Sequence, residues 1–364
     1  MITSTLGDDF MKRLVLAAMF FCLGFIEAGM DRNAFGLDFT VRKIWDAAPH
    51  NAFTDLTFFN GAFYCTFREG TGHMPGKKAG EELGTIRVIR SKDGEHWESV
   101  ALLEKAGYDL RDSKISVTPD KRLMLTMGGS VYGDDYRLLA RHPHVSFSDK
   151  NGENFTLPDP IEIDASVKTE WDWLWRVTWH QGIVYGTIYR EGGARGEGLF
   201  RSSDGKKFES VKEFDFPESW GNPDESTVRF DARGNMFILM RFHPGNNNGR
   251  FGMASPPYTD WTWKDTGKTL GGPEFCFLPS GKILVADRAY DANDLGTAVY
   301  KIDENGKLIE IARFPSSGDT GYPGIVVHEG FVWISYYSSH EGKTSVYLVK
   351  VPLDEVEKAL TPGT

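Results

Sequence analysis

The chain repeats itself, and the period of the repeat restricts the fold more than any single motif does. A short run of apolar and hydroxyl residues, a turn carrying Gly or Asp, and a second apolar run recur at about forty to fifty residues, the size of one propeller blade. Residues 53–61 lead into 62–67 and Arg68, and residues 177–182 into 183–189 and Arg190. Residues 227–234 lead into 235–240 and Arg241, and residues 274–281 into 282–287 and Arg288. Residues 114–127 and 325–337 are copies without the closing arginine. One such hairpin cannot bury its apolar face, whereas a ring of about six can. The pattern predicts an all-β chain folded as a six-bladed β-propeller, and 40 glycines with 13% aromatic residues suit strands joined by tight turns.

A second repeat follows the first. Ser91-Lys92-Asp93-Gly94-Glu95-His96-Trp97 and Ser202-Ser203-Asp204-Gly205-Lys206-Lys207-Phe208 are nearly the same turn, and Ser148-Asp149-Lys150-Asn151-Gly152-Glu153-Asn154-Phe155 is a looser copy. In such a turn Asp accepts backbone N–H bonds, Gly supplies a positive φ and the ring plugs the blade. These turns resemble the Asp-boxes of sialidase-type (BNR-repeat) propellers, one residue shorter than the commonest form. The resemblance implies that Asp93, Asp149 and Asp204 are structural and lie on the face away from the active site. Residues 258–263 stand where a variant outer turn belongs. Residues 38–45 precede the first unit and are expected to add an outer strand to the last, which removes two exposed sheet edges.

The formal charge of −10 argues against nucleic acid as a partner, while a local arginine cluster still permits an acidic ligand. Met11-Lys12-Arg13, the apolar run 14–26 and Ala28 read as an export signal. The expected organisation is a signal peptide over 1–29 and one propeller domain over 30–364. The expected product is secreted or periplasmic, monomeric and free of the membrane after cleavage; an uncleaved anchor is the alternative. Cys65 and Cys276 fall in non-adjacent units and are expected to stay unpaired. No Cys/His spacing resembles a zinc site, and neither metal nor cofactor is expected.

In a hairpin the start of the first strand and the end of the second share one edge. With the first strands innermost, Arg68, Arg190, Arg241 and Arg288 gather at one mouth of the channel. Arg176, Glu225, Glu274, Asp319 and Tyr322 join them from the strand starts, and His50, Arg111 and Asp112 from the leading segments. Guanidinium forks suit carboxylate or sulfate, so an acidic glycan is the expected partner. The competing reading is that each arginine pairs with a neighbouring carboxylate and ties blades together.

Glu225 and Arg241 face each other across one hairpin, and Tyr322 starts the last unit. This arrangement is similar to that of sialidases, in which a Glu polarises a tyrosine nucleophile and arginines hold the substrate carboxylate. The resemblance implies a glycoside hydrolase releasing a terminal acidic sugar. Glu225 and Tyr322 would form the nucleophilic pair, and Arg68, Arg190, Arg241, Arg288, Asp319 and Arg176 would bind substrate. His73 or Glu81 would be the acid/base. The sialidase Phe-Arg-Ile-Pro segment is replaced here by Pro49-His50-Asn51-Ala52-Phe53. His50 and His73 are also similar to the histidines of propellers acting on uronic-acid polysaccharides, the ulvan lyases and rhamnosidases. There a histidine would take the C5 proton, with Tyr322, Tyr132 or Tyr189 as acid. A glycan-binding propeller without catalysis is the third reading. Trp171, Trp173 and Trp175 are a possible sugar platform, and His340 is a reserve rim residue.

Overall fold

The computed structural model describes residues 31–32, 36–75, 83–135, 137–190, 196–243, 247–290 and 295–361. The expected signal peptide and Glu81 lie outside these residues. Six small sheets form a six-bladed β-propeller. The first blade comprises His50–Phe59, Ala62–Gly70, Thr85–Ser91 and Glu98–Leu103, and the second runs from Asp109–Val117 through Leu123–Tyr132 and Leu138–Phe147 to Asp159–Pro160. The third is built on Ile183–Arg190, with an inner strand broken into Asp172–Leu174 and Thr178–His180. Asn222–Phe230 and Glu274–Phe277 are the inner strands of the fourth and fifth blades. In the sixth, Thr320–His328 is innermost, and Asp38–Trp45 pairs antiparallel with Ser345–Pro352. The N-terminal strand therefore closes the last blade.

The apolar core lies between blades. Tyr64, Ile86 and Val88 of the first pack on Leu110, Leu123 and Leu125 of the second, and Leu284 and Val299 of the fifth on Val332 and Ile334 of the sixth. Middle strands such as Ala62–Gly70 are buried at almost every position, because both of their faces meet neighbouring blades. Each such side chain contributes about 1.5–3 kcal/mol through the apolar surface it hides from water.

The Ser-x-Asp-Gly turns stabilise themselves. Asp93 Oδ1 accepts the N–H groups of Glu95 at 2.8 Å and His96 at 2.9 Å, and Ser91 Oγ accepts that of Gly94 at 2.9 Å. Gly94 has φ +76° and packs so closely on Trp333 of the sixth blade that a Cβ would meet the ring at 2.5 Å. Ser91 pairs with Phe63, whereas Glu69 pairs with Thr85, which puts this turn at the end of the blade opposite Arg68. Cys65 and Cys276 are free thiols on the first and fifth blades. Among the described residues no helix is long and apolar enough to cross a membrane.

Candidate active site

Four inner strands carry the same irregularity at the same place. Ala52 pairs with Arg68 and Asp55 with Thr66, so Phe53-Thr54 stand against the single residue Phe67. Asp112-Ser113 stand likewise against Met127, Asp224-Glu225 against Arg241, and Tyr322-Pro323 against Tyr336. Such a two-against-one bulge bends the strand and re-aims a side chain. Phe53, Asp112 and Tyr322 have φ of +64°, +51° and +52°, a conformation costing a non-glycine residue about 1–3 kcal/mol. The repeated bulge turns the aromatic ring, the carboxyl and the phenol toward one mouth.

There the Tyr322 hydroxyl donates to Glu225 Oε1 at 2.5 Å, and Arg241 Nη1 donates to Glu225 Oε2 at 2.7 Å. Arg241 is also 3.6 Å from Asp224. The Arg288 guanidinium lies 5.1 Å from the centre of the Tyr322 ring, donating to the Thr320 carbonyl at 2.6 Å and to the Tyr337 hydroxyl at 2.9 Å. Arg111 covers the Phe53 ring at 5.1 Å and lies 3.8 Å from Asp112. Lys114 Nζ is buried 5.5 Å from the Tyr322 ring and 4.7 Å from Trp175, and donates to the Thr54 carbonyl at 3.2 Å.

These neighbours separate the acid–base properties of the groups. Burial pushes the Glu225 carboxyl upward, but Arg241, the Tyr322 hydroxyl and Arg288 outweigh it and hold it below its ordinary range. Burial, reinforced by Glu225, keeps the Tyr322 phenol protonated well above its ordinary value. Burial also raises the Asp112 carboxyl, against the pull of Arg111 and Lys114. Lys114 is lowered to about 8, chiefly by burial and then by the nearby Arg176.

A second cluster adjoins the first. Asp319 Oδ2 is 2.8 Å from His50 Nε2 and 2.8 Å from His73 Nδ1, while its Oδ1 accepts the Tyr337 hydroxyl at 2.8 Å. Burial outweighs Asp319 and lowers His50 below its ordinary value, so its ring is neutral near neutral pH. With the carboxylate as acceptor, His50 carries its hydrogen on Nε2 and His73 on Nδ1. The other nitrogen of His73, Nε2, belongs to a half-exposed ring.

The expected arginine ring is only partly assembled. Arg241 and Arg288 reach the Tyr322–Glu225 pair, but Arg68 and Arg190 do not. Arg68 is fully buried, bound to Asp109 at 2.7 Å and to the Gly72 carbonyl at 2.8 Å. Arg190 is held by Glu213 at 2.6 Å and Asp172 at 3.3 Å. An unpaired buried guanidinium is costly, and each of these two has a carboxylate within reach on its own or the adjoining blade. Arg176, expected among the substrate ligands, is 2% exposed and bonded to Asp55, Glu274 and the Pro323 carbonyl, a tie across the channel floor. Trp173 and Trp175 are buried, with Trp173 stacked on Tyr189 and Trp175 edge-on to Tyr322, so they form part of the wall beneath the mouth. Arg111 and Asp112 stand at the mouth, where the repeat placed them, although the sequence suggested no role for either. Lys114 is the group the sequence did not single out; its signal was its place at the head of the second repeat unit.

No protein-family description matches the chain, and no curated protein sequence does. Solved structures do. A protein of unknown function from Dyadobacter fermentans superposes with TM-score 0.72 at 16% identity, over 86% of this chain and 99% of that one. Trypanosoma rangeli sialidase in complex with the inhibitor DANA superposes with TM-score 0.63 at 14% identity, over 90% of this chain and 58% of the sialidase. The chain thus spans somewhat more than half of that enzyme's length. An α-L-arabinanase from Penicillium chrysogenum, complexed with arabinobiose, superposes with TM-score 0.60 at 15% identity, over 86% of this chain and 97% of that one. At these identities the likeness is one of fold: the chain is a β-propeller folded like this sialidase and this arabinanase.

Proposed function

We infer that the protein is an exported glycoside hydrolase that releases a terminal acidic sugar, with Tyr322 as nucleophile and Glu225 as its base. The observation carrying this reading is the 2.5 Å hydrogen bond from the Tyr322 hydroxyl to an ionised, arginine-held Glu225. A neutral phenol can approach an anionic sugar without charge repulsion, and it becomes a competent nucleophile as its proton passes to the carboxylate. In the first step the Tyr322 oxygen bonds to the anomeric carbon while the glycosidic bond breaks and the leaving oxygen takes a proton. In the second, water releases the sugar and the phenol regains its proton. Asp112 suits the acid role, because its carboxyl is pushed up in the same mouth where Glu225 is pushed down. Arg241, Arg288 and Arg111 supply the positive field for the substrate's acid group. Export rests on the basic and apolar segments at residues 11–28.

A specific observation favours a second reading. His50 and His73 converge on Asp319, which lies 3.9 Å from Arg288, a setting in which His73 Nε2 would take the C5 proton of a uronate while the arginine neutralises its carboxylate. Incubation with α-sialosides and with uronate polysaccharides separates the two. Free acidic sugar without a new double bond supports the hydrolase, and a 4,5-unsaturated product supports the lyase. Neither product from folded protein refutes both and leaves glycan binding alone.

A further inference from the structure

We propose that His50, His73 and Asp319 form a binding site for one divalent transition-metal ion of the zinc class, at the rim of the mouth beside Arg288. The three side chains come from separate parts of the ring: the start of the first blade's inner strand, the loop after its second strand, and the residue preceding the sixth blade's inner strand. They nonetheless present one ligand atom each, His50 Nε2, His73 Nδ1 and an Asp319 oxygen, all within 4.8 Å of one another. Both imidazole nitrogens lie 2.8 Å from the same oxygen, Oδ2. The two rings lie with centroids 6.0 Å apart and their planes at 73°.

Two imidazoles and one carboxylate are a donor set of the borderline kind that selects zinc and its first-row neighbours, whereas calcium and magnesium favour oxygen alone. Metal–ligand bonds of about 2.0–2.2 Å in tetrahedral geometry require ligand atoms about 3.3 Å apart. The two nitrogen–oxygen spacings reach that value if each nitrogen withdraws from Oδ2 by about half an ångström, and the nitrogen–nitrogen spacing, within 4.8 Å, must close to it as the ion binds. Each ligating nitrogen gives up its hydrogen, and in a neutral ring that hydrogen goes to the other nitrogen, Nδ1 of His50 or Nε2 of His73. Carboxylate ligands in metal centres are usually held from behind. Asp319 is so held, with Oδ1 accepting the Tyr337 hydroxyl at 2.8 Å and lying 3.9 Å from Arg288.

Three protein ligands leave a position open. The outer ligand, His73, is half exposed and Asp319 about a quarter exposed, so that position faces the mouth. An oxygen of the acidic ligand can occupy it, next to the guanidinium of Arg288. The site is compatible with chemistry at Tyr322, whereas a bound ion puts the hydrogen on His73 Nε2 and so excludes that nitrogen as the base of the lyase reading.

The test is metal binding by the whole mature chain after treatment with chelator and dialysis, read by calorimetry with Zn²⁺ and by the visible absorption of added Co²⁺. His73→Ala removes the half-exposed ligand, and Asp319→Asn weakens the shared one; circular dichroism reports whether each variant is folded. One equivalent of Zn²⁺ bound at micromolar or tighter concentration is expected, with a tetra- or five-coordinate Co²⁺ spectrum. Affinity should fall at least about tenfold in each folded variant. Failure of the stripped, folded parent to take up one equivalent overturns the site and leaves a hydrogen-bonded His-Asp-His network. Uptake that is equally tight in His73→Ala also overturns it. Neither readout involves catalysis, so the hydrolase reading can fail while this site stands, and the reverse.

Discussion

Replacing Glu225 by Gln removes one negative charge and leaves the shape of the site almost unchanged. The amide oxygen can still accept from Tyr322, but an amide is too weak a base to take the phenol's proton as the bond to the sugar forms. General-base assistance of this kind is worth about 10²–10⁴ in rate, so kcat on an α-sialoside should fall by that factor. Binding should change far less, because Arg288 keeps its contacts to Thr320 and Tyr337, and Arg241 keeps Asp224 at 3.6 Å. That second carboxylate also limits the structural cost. A buried pair broken outright costs about 3–5 kcal/mol, whereas here about 1–3 kcal/mol is expected. Steady-state kinetics beside thermal unfolding reads both quantities. A folded Glu225→Gln protein whose kcat stays within about threefold of the parent would refute the pairing of base and nucleophile.

Other consequences follow from the same geometry. Asp112→Asn should abolish turnover of natural glycosides and spare aryl glycosides, whose leaving groups need no proton; equal losses on both would remove Asp112 from the acid role. Arg176→Met strands Asp55 on the channel floor and leaves Glu274 to Arg229 alone, and a loss of about 3 kcal/mol in unfolding free energy is expected, with KM unchanged in the folded fraction. Lys114 is lowered to about 8 from 10.5, so the folded state binds fewer protons than the unfolded chain between those values. Stability should therefore rise from pH 8 toward 10.5, by up to about 3 kcal/mol, and Lys114→Met should remove that slope in denaturant titrations. Glu225 has the opposite dependence. Its value is held below the ordinary 4.5, so the stability it supplies is complete above that pH and is lost on further acidification, a limb that Glu225→Gln should flatten.

The propeller was legible because its signal is periodic. Six hairpins at blade spacing, with the same turn after several of them, leave little freedom in the fold, and even the closing role of residues 38–45 follows from an unpaired strand before the first unit. At the mouth, Glu225, Tyr322, Arg241 and Arg288 were legible as equivalent positions in the repeat. Equivalence placed Arg68 and Arg190 there as well, and what separates them is the nearest carboxylate, Asp109 for one and Glu213 for the other. Those partners come from another strand, which spacing along the chain does not reveal. The bulges at Phe53, Asp112 and Tyr322 were hidden for a different reason. One extra residue in a strand buried on both faces leaves its hydropathy unchanged, and it shows only in the strand pairing and in the positive φ values at these three positions. His50, His73 and Asp319 were each legible as candidates at the mouth, but their meeting on one carboxylate oxygen was not, since it joins the first and last blades across the ring closure.

In the proposed reaction the Tyr322 phenol, activated by Glu225, becomes bonded to the sugar. The most direct test is to trap that adduct with a fluorinated sialosyl fluoride and locate it by peptide mass spectrometry. One added sugar is expected, on Tyr322, and none in Tyr322→Phe. A label on any other residue, or no label with a 4,5-unsaturated uronate accumulating from polysaccharide instead, would contradict it.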